Sequence, residues 1–103
     1  MWSEITSGDF GWVGKLRMVQ DGTAVDISAY TTRQFIFKSP IGAVTTKTAT
    51  FDDDGTDGIL KYTVADGDID RAGSWRVQAR IAKTGVELTS DPLHFQVEDR
   101  LDE

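Results

Sequence analysis

The chain has 103 residues, no cysteine and a formal net charge of −6. One domain with one core is expected at this length, and the absence of cysteine excludes disulfides and thiolate metal sites. The acidic balance argues against binding to a nucleic-acid backbone, and no apolar run approaches the roughly 18 residues of a membrane span, so neither nucleic acid nor membrane is expected as a partner.

The first ten residues show no clear period. They contain no basic region ahead of an apolar one, so no secretory signal is predicted and synthesis in a cytoplasm is expected. Trp2 and Ile5 are apolar residues in a mostly polar stretch, and they can either fold back to cap the core or dock on a neighbouring subunit. We therefore predict an N-terminal tail over residues 1–10, a folded domain over 11–98 and a charged C-terminal tail over 99–103.

A hairpin is predicted at the start of the folded domain. Apolar residues of one parity indicate its first strand: Trp12, Leu16 and Met18. Gly14 interrupts this series, which suggests a bulge or a close backbone approach. Asp21-Gly22 is typical of a type I′ turn, whose two central residues need positive φ, and residues 24–27 are predicted to return as the second strand.

Three strands are predicted in the middle of the chain. Residues 33–38 alternate, with Phe35 and Phe37 expected to point inward. Residues 43–51 are rich in β-branched side chains, but apolar residues at the two ends have opposite parity, and the threonines between them suggest an edge strand. Residues 59–64 alternate again.

The most regular alternation lies in residues 73–83. Four residues are predicted to face inward: Trp75, Val77, Ala79 and Ile81. A slip of one position would bury two arginines, so the register is well specified. The segment after Thr84-Gly85 changes parity at Asp91-Pro92, which requires a bulge or a strand that changes sheet. About seven or eight short strands without a helix predict an all-β protein of two packed antiparallel sheets.

Two acidic turns are the candidates for a metal site. Asp52, Asp54 and Asp57 lie near two glycines, and alternate carboxylates are ligands that calcium accepts. The twelfth position of an EF-hand loop counted from Asp52 is Thr63, which cannot supply a bidentate carboxylate, and such turns are common without metal. The second turn, 66–70, follows the next strand and lies about 20 Å away, so the two cannot form one site. No cofactor is expected, and calcium is the alternative that these turns leave open.

No residue pattern predicts catalysis. His94 is the only histidine and alternates outward, whereas a nucleophile needs an oriented base. Arg76 and Arg80, with Gln78 between them, form a polar stripe that is either solvated or paired with an acidic partner. The candidate partner-binding residues are Trp2, Ile5, Arg76 and Arg80.

Several short motifs resemble a known family when they are taken in order. Residues 70–77, DRAGSWRV, resemble the entry to strand F of immunoglobulin-like domains, with Trp75 at the aromatic position and Val77 at the cysteine position. The other shared motifs are Val25-Asp26-Ile27-Ser28 after a DG turn, Pro40-x-Gly42, Gly58-x-Leu60-x-Tyr62 and Leu93-x-Phe95-x-Val97. Over residues 11–98 the chain is similar to the immunoglobulin-like domain family found at the N-terminus of phage baseplate upper proteins and in related small tail and neck proteins.

The resemblance implies an immunoglobulin-like antiparallel β-sandwich and no enzymatic activity. It implies a structural component of a tailed-phage virion, in the tail, baseplate or neck, made in the host cytoplasm. Other virion proteins and further copies of the chain are the expected partners. The alternative is a carbohydrate- or surface-binding module of a bacterial or phage surface protein, in which Trp2, Tyr30 and Phe10 would stack on sugar rings.

Overall fold

A computed structural model describes residue 2 and residues 5–101, and every regular element in this part of the chain is a strand. The eleven strands are β1 (Ile5–Thr6), β2 (Val13–Arg17), β3 (Val19–Gln20), β4 (Thr23–Ala24), β5 (Thr32–Lys38), β6 (Val44–Thr48), β7 (Thr50–Phe51), β8 (Ile59–Thr63), β9 (Gly73–Lys83), β10 (Val86–Thr89) and β11 (Leu93–Glu98). The predicted all-β class is confirmed for these residues.

The strands form two sheets and a separate hairpin. The larger sheet has the order β1-β11-β9-β5-β6, with β10 also paired to β9, and the smaller sheet has the order β2-β8-β7. β3 and β4 form the hairpin. All pairs are antiparallel except β1 with β11. Side chains from both sheets contribute to one buried cluster, which is the core.

β9 is the central strand of the larger sheet, because β5 pairs on one side and β10 and β11 pair on the other. Its four predicted inward residues are each at most 4% exposed, which confirms the alternation. Trp75 stacks on Phe95, with ring centroids 6.2 Å apart. Its indole Nε1–H donates to the carbonyl oxygen of Arg71 at 3.0 Å, so the buried ring also fixes the turn that leads into β9.

The predicted type I′ hairpin is present, but its second strand is shorter than expected. Asp21 and Gly22 have φ angles of 53° and 79°, as that turn requires. The return strand is β4, and not residues 24–27, because Asp26 accepts hydrogen bonds from the backbone N–H and the hydroxyl of Ser28 and turns the chain away. Ile27 is then buried in the core, and its N–H donates to Gly55 O at 2.9 Å.

The predicted strand 43–51 is divided at Ala49. β6 belongs to the larger sheet and β7 to the smaller one, so the chain passes from one sheet to the other at a fully buried alanine. This change of sheet is the physical reason for the opposite parity of the two ends. β6 is the last strand of the larger sheet, as its threonines predicted.

The change of parity at Asp91-Pro92 is a β-bulge. Thr89 lies opposite Arg80 and Leu93 opposite Val77, so three residues on one side face two on β9. Ser90 bridges the gap, because its hydroxyl accepts the N–H of Ala79 at 2.9 Å and its own N–H donates to Ala79 O. Because of the bulge, β10 and β11 both pair with β9, even though Pro92 between them has no N–H to donate.

The N-terminal segment packs on the fold, and β1 is a strand that periodicity did not predict. Ile5 is 3% exposed and lies beside Val97 in the larger sheet. Trp2 contacts the rings of Trp12 and Phe95 at centroid distances of 5.4 and 5.2 Å. Trp2 and Ile5 therefore fold back onto the core of their own domain, which is the first of the two alternatives given for them. Within the N-terminal and C-terminal tails, residues 1, 3, 4, 102 and 103 lie outside the described residues.

Gly14 is required by the indole of Trp2. A Cβ atom built on Gly14 would lie 2.5 Å from two ring carbons of Trp2, a distance at which one side must move. The sequence predicted a bulge or a close backbone approach at this glycine, and the structure instead shows a side chain packed against it. The Nε1–H of Trp2 also donates to Lys15 O at 2.9 Å, on the edge of β2.

Gly14→Ala is expected to displace Trp2 and lower the free energy of unfolding by about 1–3 kcal/mol, the usual cost of overpacking. In a Trp2→Ala background the same substitution should cost far less, because the ring that it strikes is gone. Urea unfolding of the wild type, the two single variants and the double variant measures this coupling. An equal cost of Gly14→Ala in both backgrounds would contradict the packing of Trp2 on Gly14.

Candidate interaction surface

Four exposed residues form a line across the outer face of the larger sheet. We call Val44, Lys38, Arg76 and His94 the outer row. The strand register places Lys38 opposite Val44 on β6 and opposite Arg76 on β9, and Arg76 opposite His94 on β11. All four side chains are exposed, with Val44 at 61%. Two like charges therefore lie directly opposite each other, which costs stability in a sheet.

Of the two arginines predicted to bind a partner, one is occupied and one is not. Arg80 donates from Nε and Nη2 to Oε1 of Gln34 and lies 3.6 Å from a carboxylate oxygen of Glu87. Among the described residues, neither Arg76 nor Lys38 takes part in an ion pair. The free cationic groups of this face are therefore in the outer row.

A groove of about 240 Å³ lies at one end of the outer row, where Val44, Lys38 and Arg76 line it. Ile36, Val44 and Pro92 supply its apolar lining, and Lys38 and Arg76 supply its charge. Sequence reasoning missed Lys38, although the alternation of 33–38 places it on the outer face. What the sequence does not contain is the pairing of β5 with β9, which brings Lys38 and Arg76 together.

The free edge of β6 is a second feature of the same sheet. Backbone bonds join Ser39 N to Ala43 O and Ala49 N to Arg33 O, so odd-numbered residues of β6 face β5. The N–H and C=O groups of Val44, Thr46 and Thr48 consequently point away from the sheet. Their side chains are exposed and uncharged.

Each of the three calcium candidates in the first acidic turn has a partner within the chain. Asp52 pairs with Lys15 Nζ at 3.1 Å, and Asp57 accepts the N–H of Ile59 at 3.1 Å. Asp54 accepts hydrogen bonds from the hydroxyl and the N–H of Thr56, and these lower its pKa. No group of three or more possible ligands for a metal ion occurs in the part of the chain that the structure describes. That this turn holds no calcium stays a prediction.

In the second acidic turn, Asp68 is enclosed and hydrogen-bonded. Its carboxylate accepts the hydroxyl of Tyr62 and the N–H of Ala65 (2.9 Å), and it lies 3.1 Å from Lys47 Nζ. Burial raises the pKa of Asp68, but the hydrogen bonds from Tyr62 and Ala65 and the charge of Lys47 outweigh it and lower the pKa. Burial, with the hydrogen bond to Asp68, raises the pKa of Tyr62 to about 12.

The remaining candidate residues are apolar or aromatic, and they differ in how far they are buried. Ile5 lies in the core of its own domain and Trp2 is partly buried against that core, and their docking on a neighbouring subunit stays a prediction. Tyr30, an aromatic considered for sugar stacking, is 7% exposed and covered by Lys83, whose Nζ lies 4.7 Å from the ring centroid. Phe10 is 60% exposed.

The shifted pKa values of Tyr62 and Asp68 make stability depend on pH in opposite directions. The raised pKa of Tyr62 stabilises the fold below its ordinary value of 10.0, and this contribution is lost as the pH rises through about 12. The lowered pKa of Asp68 stabilises the fold above its ordinary value of 3.8, and this contribution is lost as the pH falls through the folded value.

Asp68→Asn is expected to destabilise the protein most at neutral pH. The difference in unfolding free energy from the wild type should shrink as the pH falls below 3.8, because protonation removes the same charge from the wild type. Thermal or urea unfolding across this range measures it, with the exposed Asp66→Asn as the control in the same turn. A difference that does not change with pH would show that the charge of Asp68 does not stabilise the fold.

Comparison with known proteins identifies one family. Residues 14–103 match the BppU N-terminal domain, the N-terminal domain of baseplate upper proteins. No curated protein matches the chain. The described residues contain no helix that is long and apolar enough to cross a membrane. The match spans most of the chain, including β2 to β11 almost entirely, and the chain therefore belongs to the BppU N-terminal domain family of phage baseplate proteins.

Proposed function

We propose that this protein is an immunoglobulin-like β-sandwich that joins subunits in a tailed-phage virion. The observation that carries the virion role is the family match over residues 14–103. A structural baseplate family also favours a role without catalysis. Other virion proteins and further copies of the chain are the proposed partners, reached after synthesis in the host cytoplasm.

The strand order supports the immunoglobulin-like assignment. In such sandwiches strands B, E and D are neighbours in one sheet, and G, F, C and C′ are neighbours in the other. β2, β8 and β7 have the positions of B, E and D, and β11, β9, β5 and β6 have those of G, F, C and C′. The bond from Trp75 to Arg71 O has the place of the tyrosine corner, two residues before Val77, with an indole as donor.

The free edge of β6 supports a role in joining subunits. An exposed edge strand offers N–H and C=O groups that can extend the sheet of another chain, and monomeric proteins usually protect such edges. Lys47, the charged residue of β6, faces inward and forms an ion pair with Asp68. It therefore does not protect the edge of β6 against pairing with another strand. The outward positions are Val44, Thr46 and Thr48. No observation favours the carbohydrate-binding alternative, since Trp2 and Tyr30 are packed in the fold.

The protein is expected to be part of the mature particle of the phage that encodes it. Density-gradient purification of virions, followed by mass spectrometry and immunogold labelling, should find it in the particle at a fixed position. Its absence from purified virions, with the protein present in the infected cell, would contradict the virion role.

Thr46→Pro is expected to leave the domain folded and to weaken its association with other subunits. The substitution removes an N–H that points away from the sheet, and proline is tolerated at such edge positions. Thr45→Pro is the matched control, because it removes an N–H that faces β5 and should lower the melting temperature. Thermal melting and incorporation into particles measure the two effects. Normal incorporation of the Thr46→Pro variant would exclude strand addition at this edge.

A further inference from the structure

The outer row has a charge opposite to that of the protein as a whole. The chain carries a formal charge of −6, yet the row contains the cations Lys38 and Arg76 and no acidic residue. Lys38 and Arg76 repel each other across the sheet, and no described ion pair relieves them. A carboxylate placed between them would remove this repulsion, and an arginine can bind it through two parallel hydrogen bonds.

The complementary charge is on the same molecule, at a place that we call the acidic end: Asp26, Asp53 and Asp54. Two loops form it, because Ile27 N donates to Gly55 O at 2.9 Å and holds residues 26–28 against residues 52–57. A Cβ atom built on Gly55 would lie 2.9 Å from the Cα atom of Ser28, so the two loops are in direct contact. All three side chains are exposed.

A single copy cannot bring the acidic end to its own outer row. The acidic end adjoins the beginning of β5, since Tyr30 N donates to Ile27 O just before Thr32, whereas Lys38 is the last residue of β5. A strand of seven residues separates the two places by about 20 Å. Contact between them therefore requires two molecules.

We propose that the outer row docks the acidic end of a second copy of this chain, so that copies associate head to tail. The groove at the row is lined by two cations, Lys38 and Arg76, and by the apolar side chains of Ile36, Val44 and Pro92. Such a heterologous contact generates a ring if the rotation closes and a filament if it does not. The inference rests on the proposed function only in taking the partner to be a protein subunit. Nucleic acid is disfavoured, because the net charge of −6 repels a polyanion.

Charge reversal on each side of the contact tests the proposal. Lys38→Glu/Arg76→Glu reverses the row, and Asp53→Lys/Asp54→Lys reverses the acidic end. Each double variant alone should lose self-association, because its two surfaces then carry like charge. An equimolar mixture should associate again, since each surface of one variant is then complementary to a surface of the other. Arg17→Glu/Lys61→Glu, on the outer face of the smaller sheet, is the control with the same change of charge as the row variant.

Sedimentation velocity on the folded proteins measures the association. The wild type is expected to associate at low salt and to do so at least tenfold more weakly when the salt rises from about 50 to about 500 mM, because exposed charges are then screened. Asp53→Lys alone serves if the double substitution disturbs the turn that Asp54 holds through Thr56.

Three outcomes would overturn the proposal: a wild type that stays monomeric at low salt, a mixture that does not associate, or an equal loss in the control variant. Retention of a single-stranded DNA oligonucleotide by the wild type but not by Lys38→Glu/Arg76→Glu would assign the row to nucleic acid instead. These outcomes would not affect the virion role or strand addition at β6. The virion role is tested by the composition of purified particles, and the edge of β6 by incorporation of the Thr46→Pro variant.

Discussion

The burial of alternate side chains along β9 is the constraint on which the rest of the structure depends. Val77 lies beside Phe37, Ala79 beside Phe35, and Trp75 beside Phe95, so the neighbours on both sides pack their rings against this strand. Each of these large side chains contributes about 1.5–3 kcal/mol when it is fully buried. A shift of one residue would exchange this layer for arginines and a glutamine, so the register of β9 fixes that of β5 and β11.

The same register determines the outer surface. Once Val77 faces the core, Arg76 must face outward, and its neighbours across the sheet must be Lys38 and His94. The outer row therefore follows from the core without any further contact to hold it. The bulge at Ser90 is part of this arrangement, because without the extra residue Phe95 and Val97 would face outward and His94 would be buried.

Sequence reasoning succeeded where the determining interaction is local. Period-two alternation placed the core residues of β9 and β5, and the Asp-Gly dipeptide placed the first hairpin with both of its positive φ angles. It failed where a contact is distant in sequence. β1 is two residues long and exists because Val97 lies beside Ile5, and the break at Ala49 exists because the chain crosses between sheets there. Two residues cannot show a period, and a buried alanine in a threonine-rich run carries no signal of its own.

The candidate surface shows the same difference between what local alternation predicts and what depends on contacts distant in sequence. Arg76 could be placed on an outer face from alternation alone, but the occupation of Arg80 by Gln34 joins residues 46 positions apart and could not. Lys38 matters only because β5 pairs with β9 and places it opposite Arg76. The repulsion in the row costs a fraction of a kcal/mol up to about 1 kcal/mol, which is less than one buried ring contributes. The core therefore tolerates an unfavourable row on its outer side, and the charge remains available for a partner without threatening the fold that positions it.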